Sequence, residues 1–220
     1  MTNETGKTRK TRKTSRLILL FRFNKSQPLA YDAKVRIISG IHRGRKLKTV
    51  AGQEVRPTSD RLRETLFNIL APDIRDAQVL DICAGSGAIA IEALSRGAAS
   101  ITLIDQSRRA CQIIQENLRA LGINDEARVL NRDALAAIKQ LETENQAFDI
   151  VYFDPPYASP LYAQVMNQLG ASSIIHPHSI VIVEHHTKTP IEKEYGKLKI
   201  YRELKQGESA LGFYSVAGNR

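Results

Sequence analysis

Val79-Leu80-Asp81-Ile82-Cys83-Ala84-Gly85-Ser86-Gly87-Ala88 is the stretch that decides the fold. A short apolar run reads as a buried strand, and a helical pattern begins just after the glycines. Between them, the two glycines let the chain turn sharply and let a ligand approach the backbone at a helix start whose first N–H groups lack partners. A nucleotide-type ligand suits such a loop. Gly85, Gly87 and Ala90 satisfy G-x-G-x-x-G/A, and Asp105 follows 18 residues after Gly87 at the end of the next apolar run, where an acid can bind ribose hydroxyls. The loop by itself therefore serves NAD and S-adenosylmethionine equally. Asp81 tilts the choice toward the second, because a carboxylate at the strand end repels a pyrophosphate and attracts a cationic amino-acid moiety.

Working outward, apolar runs at 79–82, 101–104, 128–131, 150–153 and 180–184 alternate with helical patterns. Five such strands predict an α/β protein with a mostly parallel sheet wound on both faces. The end differs, since 197–204 and 210–216 flank Gln206-Gly207-Glu208 and read as an antiparallel hairpin. Upstream, Arg36, Arg43, Arg45, Lys46 and Lys48 alternate with Val35, Ile37, Ile38, Ile41 and Leu47 around Gly40 and Gly44, which predicts a β-hairpin with a cationic face. Arg56-Pro57-Thr58-Ser59-Asp60 then supplies a turn and a helix cap. Leu62, Leu66, Ile69 and Leu70 follow at helical spacing, with Arg61 and Arg63 off the stripe, until Ala71-Pro72-Asp73 ends the helix.

A second motif, Asp154-Pro155-Pro156-Tyr157, closes the fourth strand. Carboxyl ends of central strands face the ligand crevice in open α/β sheets, so Asp154 is placed at the site. Consecutive prolines stiffen the loop and hold its carbonyls. The Asp154 carboxylate and the Pro155 carbonyl can each accept a hydrogen bond from an exocyclic amine, while the Tyr157 ring stacks on a flat base. Amine methylation from an adjacent sulfonium is the chemistry this set suits.

The chain has 220 residues, 42% apolar and 25% charged, enough for one core with an extension and unlike a disordered or disulfide-dense protein. No apolar run approaches the roughly 20 residues of a membrane span. Cys83 and Cys111 form no disulfide or metal spacing, which with the absence of a secretory signal predicts a cytoplasmic protein. The net charge is +9, of which residues 1–30 carry +7 and 31–70 carry +5, while the remainder carries −3. Basicity confined to the first third is the pattern of a polyanion-binding appendage on a near-neutral body, and nucleic acid is the expected partner.

Together with 36–40, 43–47, 56–68 and 84–97, these motifs resemble the bacterial enzymes that methylate N2 of a guanine in small-subunit (16S) ribosomal RNA, a similarity covering about 34–216. The resemblance implies a Rossmann-like class I S-adenosylmethionine-dependent methyltransferase with a seven-stranded sheet, modifying guanine 966. It implies that Asp81, Gly85 and Gly87 hold the methionine part, Asp105 the ribose, and Asp133 with Ala134 the adenine edge, with Ala84, Ser86 and Gln106 also at the cofactor. Asp154, Pro155, Pro156 and Tyr157 would grip the guanine. Arg36, Arg43, Arg45 and Arg56 would contact RNA, with Thr58 and Arg61 shaping the cleft. The expected organisation is a basic, disordered tail at 1–30, an RNA-facing hairpin and helix at 31–72, and the methyltransferase core at 73–220. Expected partners are rRNA or the assembling small subunit, with no membrane and no metal, and the chain acting as a monomer.

Other classes stay in view. The same acid-proline-proline-aromatic loop serves adenine-N6 methylation of DNA or RNA, and a noncatalytic RNA-binding assembly factor could keep the fold. Asp81 and the proline loop argue against a nicotinamide dehydrogenase. Cytosine-C5 chemistry needs a cysteine nucleophile, whereas Cys83 and Cys111 read as packing residues. His176, His178, His185 and His186 cluster late and are expected in loops or at the surface rather than on a metal.

Overall fold

The computed structural model describes residues 35–49, 60–155 and 160–217. The expected tail at 1–30, together with Arg56, Thr58, Pro156 and Tyr157, lies outside the described residues. In chain order the elements are β1 (Val35–Arg36), β2 (Lys46–Leu47), α1 (Asp60–Leu70), β3 (Gln78–Ile82), α2 (Ala88–Ser95), β4 (Ser100–Asp105), α3 (Arg108–Leu121) and β5 (Ala127–Asn131). They continue with α4 (Ala134–Thr143), β6 (Phe148–Phe153), α5 (Leu161–Ala171), β7 (Ile175–His186), β8 (Glu194–Tyr195), β9 (Leu198–Gln206) and β10 (Ser209–Val216).

Strands β3 to β7 pair in parallel and β10, β9 and β8 antiparallel, giving the order β5-β4-β3-β6-β7-β10-β9-β8. The α/β reading holds, with one correction: among the described residues the sheet has eight strands, because the two-residue β8 adds an outer edge beyond the seven expected. Alternation along each strand feeds two cores. Val79, Ile101, Ile150 and Ile180 face α1, α2 and α3, while Leu80, Ile104, Val151 and Val181 face α4 and α5. Both faces are covered, which is why these runs are continuously apolar. No described helix is long and apolar enough to cross a membrane.

α1 buries Leu66, Phe67 and Leu70 against Val79, Ile150, Tyr152 and Ile182. Each such side chain contributes about 1.5–3 kcal/mol. Arg61 is exposed as its spacing predicts, but Arg63 is only 2% exposed. It turns inward because its guanidinium bridges two elements, donating to the Arg36 carbonyl and to Asp60 Oδ1.

The hairpin of β1 and β2 is clamped to α2. Buried Glu92 accepts from the N–H groups of Ile38 and Ser39 and from Arg96 Nε, while Ser95 accepts at its carbonyl from Ile41 N–H and at its hydroxyl from His42 N–H. Gly40 makes this approach possible. Its φ is +85°, and a Cβ there would stand 1.7 Å from the Ser95 carbonyl oxygen.

His178 is at the surface as expected, but the cluster lies in a strand and His185 is buried. All four lie on β7, which starts five residues before the predicted strand, and His185 is 2% exposed. Pro177 masked this extension in the sequence. It is tolerated where the β6–β7 register shifts between Phe148 and Ile150, leaving 176–179 as a bulge.

Candidate active site

Three strand ends and the glycine loop converge at one edge of the sheet. Asp81, the last residue but one of β3, has a 2% exposed side chain whose Oδ2 accepts from Ala90 N–H of α2 at 3.3 Å. Burial pushes its carboxyl up to about 7, with Asp105 adding to the effect. An acid held that way is poised for a cation, since an arriving positive charge restores the ionised form.

After Asp81 the chain turns through Cys83 at φ +67° and reaches Gly87 at φ +77°, the residue preceding α2. Gly87 backs tightly onto Leu103, Ile114 and Ile91, whereas the space in front of Gly85, at φ +57°, is open. The loop is thus packed behind and clear ahead, leaving room for a ligand against its backbone. Asn117 of α3 fastens it from outside, donating to the carbonyls of Ser86 and Lys48 and accepting from Lys48 N–H. That side chain joins the loop to the hairpin.

Asp105 ends β4. Its Oδ2 accepts from Gly85 N–H at 2.9 Å and its Oδ1 from Ser107 N–H at 2.8 Å, so each oxygen keeps a second lone pair. Gln106 is exposed, and its carbonyl, like that of Asp105, accepts from Asn131 Nδ2. Asp133 is exposed and caps α4 through Ala136 N–H, with buried Ala134 beginning the helix. The ends of β3, β4 and β5 therefore present the predicted cofactor residues side by side.

Asp154 follows β6, and its N–H donates to the Ile82 carbonyl at 3.3 Å, holding it next to the glycine loop. Burial first, then Glu184 and Asp81, hold its carboxyl well above the usual carboxylate range. Pro155 is buried beside it. Glu184 itself, 3% exposed on β7, accepts from the Tyr152 hydroxyl, and the Tyr162 hydroxyl donates to its carbonyl. Glu184 closes its apolar run in the sequence just as Asp105 and Asp154 do, a signal not used in predicting the site. Cys83 sits in the field of three of these acids. Burial, then Asp105, Asp154 and Asp81, push its thiol up to about 12, and Cys111 is buried with its thiol directed to the Asp105 carbonyl. Neither is an activated nucleophile.

The arginines expected at RNA separate. Arg43 and Arg61 are exposed, Arg36 is exposed but engaged with Asp60 at 3.3 Å, and Arg45 donates to the Ala120 carbonyl at 2.8 Å. Among the described residues no group of three or more His, Cys, Asp or Glu is arranged to hold a metal ion.

The family model Conserved hypothetical protein 95 matches residues 35–215. The chain is 39% identical over 183 residues to Ribosomal RNA small subunit methyltransferase D of Escherichia coli K12, covering 83% of this chain and 90% of that one. The Haemophilus influenzae protein of the same name is 37% identical, over 72% of this chain and 82% of its own. Among solved structures, yhhF from Escherichia coli superposes with a TM-score of 0.72 at 38% identity, covering 83% and 97% of the two chains.

Proposed function

Because the chain belongs to the Conserved hypothetical protein 95 family, we infer that it is an S-adenosylmethionine-dependent methyltransferase acting on small-subunit ribosomal RNA. The finer reading is transfer to the exocyclic N2 of a guanine, the one numbered 966 in that RNA. The observation that carries it is the placement of Asp154 against the glycine loop through its bond to Ile82, with Asp81 and Asp105 on the adjoining strand ends.

S-adenosylmethionine, when bound, supplies an electrophilic methyl on a cationic sulfur. The residues fit it: buried Asp81 meets the ammonium, the open face of Gly85 admits the methionine part, and the remaining lone pairs of Asp105 take ribose hydroxyls. Ala84, Ser86, Gln106, Asp133 and Ala134 complete the wall.

On the substrate side, the Asp154 carboxylate and Pro155 carbonyl accept hydrogen bonds from the guanine N2 amine, with Pro156 and Tyr157 completing the grip. Orienting nitrogen toward the methyl is the larger part of the catalysis, and the carboxylate stabilises the charge developing on nitrogen. An acid held high by burial beside Glu184 and Asp81 is also basic enough to take the surplus N2 proton. Arg36, Arg43, Arg45 and Arg61, all exposed, are the residues proposed to meet RNA, and the resemblance gives Arg56 and Thr58 a part in the same contact.

The test is to incubate the protein with methyl-labelled S-adenosylmethionine and unmodified small-subunit rRNA or subunits, then identify the labelled nucleoside. N2-methylguanosine at one position supports the reading. Label only in adenine, or none in RNA, overturns it.

A further inference from the structure

Beyond β7, on the side of Asp154 away from the glycine loop, a cleft of about 430 Å³ opens between β9 and the segment 187–193. Its walls hold three exposed cations, Lys193, Arg202 and Lys205, against one acid, Glu203, which Lys205 approaches at 3.4 Å. The outer wall is preformed by hydrogen bonds from Thr187 N–H to the Glu208 carbonyl and from Thr189 N–H to the His186 carbonyl.

Two side chains point to what the cleft takes. His185 lines it at 2% exposure, and its Nδ1 lies 3.1 Å from the His186 carbonyl and 3.2 Å from the Thr189 carbonyl. Both neighbours can only accept, so Nδ1 carries the hydrogen, and in that tautomer Nε2 on the other side of the ring is an acceptor. Among the described residues that buried acceptor has no hydrogen-bond partner, and Glu203 Oε1 lies 3.9 Å away. It calls for a hydroxyl or N–H donor from a ligand. Tyr201, the second feature, is the extra residue of β9 where the register with β10 shifts between Phe213 and Tyr214, and this bulge presents an exposed aromatic ring at the rim. An aromatic face, a cationic rim and a buried hydroxyl acceptor are what one ribonucleotide needs for its base, phosphate and 2′-hydroxyl.

We propose that this cleft is a second nucleotide-binding subsite, seating a single-stranded ribonucleotide that flanks the target base, with its 2′-hydroxyl donating to His185 Nε2 and its base against Tyr201. The proposal rests on RNA being the substrate. Strand order supports the geometry, because β6 and β9 are three strand spacings apart, about 14 Å, a reach of a few nucleotides.

The experiment measures binding of fluorescent oligouridine and oligodeoxyuridine of equal length to the full chain and to Tyr201→Ala, Lys193→Ala and His185→Asn. Tyr201→Ala, at an exposed position, should weaken RNA binding by about tenfold. His185→Asn keeps a donor for the two carbonyls but is too short to place an acceptor where Nε2 stands, so it should lower RNA affinity toward that for DNA and leave DNA affinity unchanged. Unaltered S-adenosylmethionine affinity verifies that each variant is folded. Wild-type RNA binding by Tyr201→Ala, or an unchanged RNA-to-DNA ratio in His185→Asn, overturns the subsite. Failure of the methyltransferase reading shows separately, as absent transfer by the native protein to any rRNA.

Discussion

The Tyr152 hydroxyl donates to Glu184 Oε2 at 2.5 Å, joining the ends of β6 and β7 beside Asp154. Tyr152 is beneath α1, so the bond links the apolar core to the acidic corner. Removing the hydroxyl in Tyr152→Phe leaves a buried carboxylate short of a donor, at a cost of about 1–3 kcal/mol. A fall in Tm of several degrees, with the fold retained by circular dichroism, is the expected result.

Glu184 also helps to hold the Asp154 carboxyl high. Glu184→Gln removes that negative neighbour, so Asp154 ionises at lower pH. Measured as kcat/KM against pH, the acid limb should move to lower pH in the variant.

Asp81 gives a pH dependence of its own. Burial holds it at about 7, against about 3.9 for an unfolded aspartate. Between these values the folded chain keeps a proton that the unfolded chain has lost, so stability without cofactor falls as pH rises from about 4 to 7. S-adenosylmethionine affinity, which needs the carboxylate, should instead rise with pH through about 7 in calorimetric titrations. Asp81→Asn should bind more weakly and with a nearly flat pH dependence.

Much of this was legible in the sequence. Strand, glycine turn and helix at 79–94, the acids at 81, 105 and 154, and α1 all follow from short-range periodicity, which sequence displays directly. What escaped were partnerships across distance. Tyr152 and Glu184 are 32 positions apart, and the Glu92 clamp reaches back 54 residues to Ile38. Arg63 reads as a surface cation because periodicity does not reveal a second element, the hairpin, packing on the helix's polar side. His185 reads as surface because Pro177 breaks the strand pattern ahead of it, and the bulge at Tyr201 leaves no local signature.

The hairpin clamp yields a separable effect. Gly40→Ala forces a Cβ against the Ser95 carbonyl at a left-handed φ, a strain on the order of 1–3 kcal/mol that undocks the turn carrying Arg43. RNA affinity should fall while S-adenosylmethionine affinity stays within experimental error, since the glycine loop is untouched.

Cys83 stands at the site without an assigned part. With its thiol pushed up to about 12, only about one part in ten thousand is thiolate at pH 8. Maleimide labelling of Cys83 should be slow in the folded protein, and Cys83→Ser should retain methyl transfer.

The most direct measurement is paired on Asp154→Ala: S-adenosylmethionine affinity by calorimetry, and single-turnover methyl transfer to unmodified small-subunit rRNA. The acidic corner acts on the base rather than on the methyl donor, so affinity should stay near wild type while transfer falls by roughly 100-fold or more. Transfer at the wild-type rate would contradict the account.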